Sequence, residues 1–244
     1  MDRRIKRFIG LGLASVVILV VAVALTLPVS GASKAKPWEV WDYSKEKPVR
    51  GGYLHTAGAR DVGLLNPNHW PVNDWLVINF FFEKLLITDG NYRPVPWMVV
   101  SWDYPDPLTC IMELKKGITY HDGTAFNAAS VKYLLDYIKN KKNGCWSRAW
   151  IKPIKSVEVV DEYTLKWTFK EQWAAFLGII ANVPGYMISP EILKQDTRKV
   201  KVSDSTPVGT GQWILEDRSH GNYIKAKRNP NWWFGKSIGH PDMP

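Results

Sequence analysis

The groups available for chemistry in this 244-residue chain are five histidines (55, 69, 121, 220 and 240), two cysteines (110 and 145) and 23 acidic residues. Metal sites draw their ligands from short, repeated spacings, and these histidines show none. Two cysteines are too few for a multi-cysteine zinc module or a disulfide-dense scaffold. A Walker loop, a G-x-G-x-x-G turn, an H-E-x-x-H helix and a G-x-S-x-G elbow are all absent from the sequence. Asp103 and Asp106 flank Pro105 in a stretch that reads as a loop. That pattern fits turn chemistry better than a glycosidase pair, although a fold can assemble carboxylates from distant segments. Cys110 and Cys145 fit one disulfide in an oxidising compartment or two separate buried thiols.

Tryptophan is the composition's unusual feature, with 13 residues at 38, 41, 70, 75, 97, 102, 146, 150, 167, 173, 213, 232 and 233. Trp167 lies on a cleanly alternating strand and reads as core, as does Trp213. Trp70, Trp75 and Trp146 lie in or beside loops, where an indole face is free to stack on a ligand or to cover a core edge.

The elements that must position these groups follow from patterning. Met1 to Arg7 carries a net +3, Phe8 to Leu27 is a 20-residue apolar run, and Pro28 to Ala32 is a helix stop with small residues. Residues 1–32 therefore read as a secretory leader cut after Ala32 or as an uncleaved anchor, and both export the body. Setting that segment aside lowers the formal charge from +9 to +6. No tract concentrates the remainder: Lys139, Lys141 and Lys142 gather at a predicted helix end, where cations offset the dipole. A solvated basic surface explains this better than a nucleic-acid site. Residues 33–50 are polar and Pro-containing and read as a linker.

From Gly51 the structural signals become dense. Tyr53 to Thr56 is a strand candidate, and Asn73 to Leu86 has helical spacing with Asn73 or Asp74 as cap. Leu108, Cys110, Met112 and Leu114 alternate as a strand. Asn127 caps a helix with Val131, Leu134, Leu135 and Ile138 on one side, ending near Asn143-Gly144. Val157 to Val160 and Tyr163 to Phe169 form a hairpin. Trp173 to Ala181 is a short helix, and Ser189-Pro190-Glu191 opens another. Val208-Gly209-Thr210-Gly211 leads into a last hairpin, Gln212 to Glu216 with Asn222 to Arg228. Strands and helices mingle without regular alternation, so the class is α/β or α+β with mixed sheets.

Several stretches, in order, resemble the bacterial extracellular solute-binding protein family 5, receptors of dipeptide, oligopeptide and nickel ABC importers. The similarity starts at Gly51-Gly52-Tyr53-Leu54 and Leu65-Asn66-Pro67. It runs through residues 80–135, where the family's pattern "egL…d…G…pala.sW…d…tf.LR.gvkfhDG.pf.a.Dv" meets FFFEKLL to GITYHDGTAF. VEVVDEYTLKWTFKE (157–171), PVGTGQW (207–213) and KRNPNWWFG (227–235) follow.

The resemblance implies an α/β fold of periplasmic-binding-protein type II, two lobes closing on a ligand. It divides the chain into a leader or anchor (1–32), a linker (33–50), a first segment of the lobe I core (51–82), an inserted subdomain (83–186) and a second core segment (187–244). Lobe II would begin soon after Pro244, so the chain resembles an N-terminal half. The lobe I ligand contacts map onto Asn73, Asp74 and Trp75, with the Gly209-Thr210-Gly211 turn near the inter-lobe face; a helix cap and a plain backbone turn are the alternatives. Expected partners are a peptide or other small solute and an inner-membrane ABC permease, with no nucleic acid, cofactor, metal or enzymatic activity. The expected state is a monomer in the periplasm or on the extracytoplasmic face. An oligosaccharide receptor, a secreted hydrolase and an inactive truncated product are the competing expectations.

Overall fold

A computed structural model of the chain describes residues 51–58, 61–69 and 75–239. The leader or anchor 1–32, the linker 33–50, and the candidates Trp70, Asn73 and Asp74 lie outside the described residues. Among the described residues no helix is long and apolar enough to cross a membrane.

The first helix, α1, spans Trp75–Phe81, shorter than the predicted Asn73 to Leu86. Phe81, Phe82, Leu85 and Leu86 are all buried, so the apolar run faces protein on every side and its periodicity cannot mark the helix end. Leu85 has already left the helix, donating its N–H to Gly185 O at 3.0 Å. Leu86–Thr88 (β1) and Pro94–Pro96 (β2) then pair across a turn in which Asp89 Oδ1 accepts from Asn91 N and Arg93 N.

Four antiparallel strands form the main sheet: Val99–Asp106 (β3), Thr109–Leu114 (β4), Ile154–Asp161 (β5) and Thr164–Phe169 (β6), in the order β3-β4-β6-β5. Asp103 and Asp106 therefore sit on a strand, which corrects the loop reading. Pro105 is tolerated because β3 is an edge strand with a register irregularity between Asp103 and Asp106. Cys110, Met112 and Leu114 share a buried side with Leu165, Trp167 and Phe169. On this core lies α2, Ala128–Lys139, with Val131, Leu134, Leu135 and Ile138 fully buried.

Asn127 and Ser130 form a reciprocal capping box at the start of α2. The helix ends at Lys139, earlier than the predicted Asn143-Gly144. A 3-10 turn, Lys141–Asn143, carries the chain on to Gly144, whose φ of 73° is the left-handed conformation that glycine adopts without strain. Cys110 and Cys145 are both buried, free thiols.

Phe176–Ile180 (α3) and Pro190–Lys194 (α4) follow, and Ser189 Oγ caps α4 by accepting from Glu191 N. Trp213–Ser219 (β7) pairs with Tyr223–Arg228 (β8), and Trp233–Ser237 (α5) is the last described helix. The predicted strand Tyr53 to Thr56 is irregular, with Tyr53 85% and Leu54 80% exposed. β-propensity expresses itself through a ladder partner, and this segment has none among the described residues. The chain leaves α1 and returns side by side: Met187 N donates to Glu83 O at 2.8 Å, next to the Leu85–Gly185 bond.

Candidate functional site

Two of the sequence candidates fall at opposite ends of α1. Trp75 opens the helix at its exposed side, stacked nearly parallel on Tyr186 with ring centroids 6.1 Å apart. It is 38% exposed, and it is the exposed tryptophan among the described residues. Trp146 instead tucks against the loop after Leu65, donating Nε1–H to Pro67 O at 3.0 Å and packing edge-on to Trp150. Trp167 is fully buried, and Trp213 is half-buried beside Phe80.

The Gly209-Thr210-Gly211 turn closes on the other end of α1. All three residues are buried. A Cβ on Gly209 would lie 2.2 Å from Phe81 O, and one on Gly211 would lie 2.5 Å from Phe80 O. Glycine at both positions is thus what lets two backbones touch. The backbone is also satisfied within the protein. Gly211 N donates to Phe81 O, while Gly211 O accepts from His121 Nε2 and Asn229 Nδ2, each at 2.9 Å. Gly209 N donates to His121 Nδ1 at 3.4 Å. Since a carbonyl only accepts and an N–H only donates, His121 carries its proton on Nε2 and is neutral. Burial lowers its pKa and favours the same form.

Just past the end of α1 stands an unusual group that sequence reasoning misses. Glu83 is buried, yet no cation pairs with it among the described residues. Trp232 Nε1 and Trp233 Nε1 donate to its two carboxylate oxygens at 3.0 and 2.6 Å. Thr210, whose hydroxyl donates to Met98 Sδ at 3.7 Å, and Trp97 lie close by. Burial pushes the carboxyl up from 4.5 to about 7, and the indole donors oppose that rise. A lone acid inside FFFEKLL, with paired indoles in NPNWW, was the available signal.

Beside Glu83 lies a pocket of about 210 Å³ lined by Asn79, Phe82, Glu83, Lys84, Ile87, Trp97, Gln212 and Trp232. Asn79 is one turn along α1 from Trp75, so the helix edge that displays Trp75 also forms the pocket rim. Asn79 Oδ1 accepts from Tyr186 Oη at 2.6 Å, tying the pocket to the ring on which Trp75 stacks. The arrangement suits noncovalent capture: flat aromatic walls, two amides and one ammonium. No group of three or more His, Cys, Asp or Glu side chains among the described residues is placed to hold a metal ion.

Comparison with known proteins identifies the family. Residues 93–242, more than half of the chain, match the family described as bacterial extracellular solute-binding proteins, family 5 Middle. The glutathione-binding protein GsiB of Salmonella choleraesuis is 36% identical over 168 residues, 67% of this chain and 32% of that protein. GsiB of Pectobacterium atrosepticum is 32% identical over 158 residues, 64% of this chain and 30% of that protein. The chain therefore spans about a third of the length of these relatives. Among solved structures, NikZ from Campylobacter jejuni in complex with Ni(L-His) superposes with a TM-score of 0.63 at 28% identity, covering 74% of this chain and 35% of that one. OppA of Burkholderia pseudomallei, at 19% identity and a TM-score of 0.62 over 72% of this chain and 38% of that one, shares the fold. With a family match over most of the folded body and the same α/β architecture in solved relatives, the chain belongs to the bacterial extracellular solute-binding proteins, family 5.

Proposed function

We propose that this chain supplies one wall of the ligand cleft in an extracytoplasmic receptor that hands peptides or peptide-like solutes to an inner-membrane ABC permease. The observation that carries the reading is the exposed indole of Trp75, one helical turn from Asn79 on the pocket wall. Relatives named for glutathione binding support a peptide-like ligand. In this reading residues 51–82 and 187–244 form the core of the lobe, residues 83–186 are an insert within it, and Asn73 and Asp74 join Trp75 at the ligand. The Gly209-Thr210-Gly211 turn acts from behind, by holding the end of α1. A second lobe completes the grip, closing by a hinge motion that the permease recognises. The lobe acts as a monomer on the extracytoplasmic side, and binding alone suffices for its task.

Tryptophan fluorescence and calorimetry with di- and tripeptides, glutathione and cello-oligosaccharides test this. Peptides should produce a Trp75-dependent response in the millimolar range, because one wall supplies only part of the contacts. Micromolar peptide binding by residues 33–244 would contradict the half-cleft reading. A response to oligosaccharides but not to peptides would overturn the ligand class.

A further inference from the structure

The Lys84 ammonium is half-buried and finds only the face of Tyr186, 5.2 Å from the ring centroid. No carboxylate pairs with it among the described residues. Its neighbour Glu83 forms no ion pair with it and instead accepts from Trp232 and Trp233. Two amides lie on the same pocket. Asn79 Nδ2 is left without a protein partner once Oδ1 has accepted from Tyr186, and the Gln212 side chain has no protein partner among the described residues. Trp97 and Trp232 supply flat apolar walls.

We propose that this pocket is a carboxylate subsite, in which Lys84, assisted by the Asn79 and Gln212 amides, receives the carboxylate of a small ligand whose aromatic or apolar arm lies against Trp97 and Trp232. A desolvated ammonium without a counter-ion is costly to hold, and a ligand carboxylate removes that cost while making charge-assisted hydrogen bonds. Burial lowers the Lys84 pKa, because desolvation disfavours the charged form. The volume of about 210 Å³ accommodates a group the size of one amino-acid residue rather than a whole oligopeptide. The subsite rests on the solute-binding reading for its biological ligand, but its chemistry can be tested separately.

The test uses three probes of nearly equal shape, phenylacetate, phenylacetamide and phenethylamine, titrated into the full chain while the indole N–H signals of Trp97 and Trp232 are followed by NMR. Phenylacetate should bind best, and Lys84→Met should weaken it by about tenfold, the scale of one charge-assisted contact. Lys84→Arg should retain most of the binding. Equal binding of phenylacetate and phenylacetamide, or unchanged binding in Lys84→Met, would overturn the proposal. Lys84→Gln, which keeps a polar head group, provides the same comparison if the methionine variant folds poorly. Peptides in a parallel titration separate the two ideas. A peptide response insensitive to Lys84 would leave the receptor reading standing and remove the subsite, whereas Lys84-dependent phenylacetate binding without any peptide response would do the reverse.

Discussion

Glu83 shows how a single residue can hold three distant segments together. Its carboxylate accepts from the paired indoles of NPNWW and sits close to Thr210 and Trp97, so one buried acid joins parts of the chain up to 150 positions apart. Its folded pKa of about 7 lies above the ordinary 4.5, so the folded state holds the proton more tightly than the unfolded chain does. The resulting stabilisation is complete below about pH 4.5 and is lost as the pH rises through about 7, on the order of 3 kcal/mol in all. Thermal melts across that window should show wild type losing stability with rising pH relative to Glu83→Gln, in which the titration is gone. Parallel curves for the two proteins would show that the acid does not titrate in this range. Trp75, by contrast, is partly exposed. Trp75→Ala should leave the melting temperature nearly unchanged while abolishing the fluorescence response to peptides.

Local elements follow the sequence closely wherever one face is buried and the other is not. The alternation of Leu165, Trp167 and Phe169 marks β6, and Asn127 with Ser130 marks the start of α2. Removing that cap by Asn127→Ala should cost about 1 kcal/mol, measured by urea unfolding. Reading fails where the pattern loses its contrast. α1 and β1 merge into one apolar run because Phe81, Phe82, Leu85 and Leu86 are buried all round. β3 is hidden by Pro105, which an edge strand tolerates and an internal strand would not. For the same reason Asp103 and Asp106, which lie on β3, read as a loop in the sequence. The packing role of Gly209 and Gly211 is invisible in sequence, since only the fold brings Phe80 and Phe81 against them. Gly211→Ala should destabilise by about 1–3 kcal/mol, because the added carbon meets backbone that cannot move aside. Denaturation by urea would check this, and a neutral outcome would mean that α1 can slide away from the turn.

Across the whole molecule, tryptophan changes its meaning once the fold is known. Trp167, Trp232 and Trp233 are buried, while Trp97, Trp102, Trp173 and Trp213 pack against the core. The excess therefore builds mostly aromatic clusters, such as Trp97 with Trp233 and Phe234, rather than a long stacking platform for sugar rings. That weakens the oligosaccharide reading and, among the described residues, leaves Trp75 as the exposed indole. The family could be read from the order of motifs, because each motif serves a local turn, strand or cap. The pocket could not, because Asn79, Lys84, Trp97, Gln212 and Trp232 meet only in three dimensions. The most direct measurement is an NMR titration of the 244-residue chain with a dipeptide and with cellobiose, following the tryptophan indole signals. The receptor reading predicts that the dipeptide shifts the Trp75 signal in the millimolar range and that cellobiose does not. A dipeptide that leaves Trp75 unmoved while cellobiose shifts it would contradict that reading.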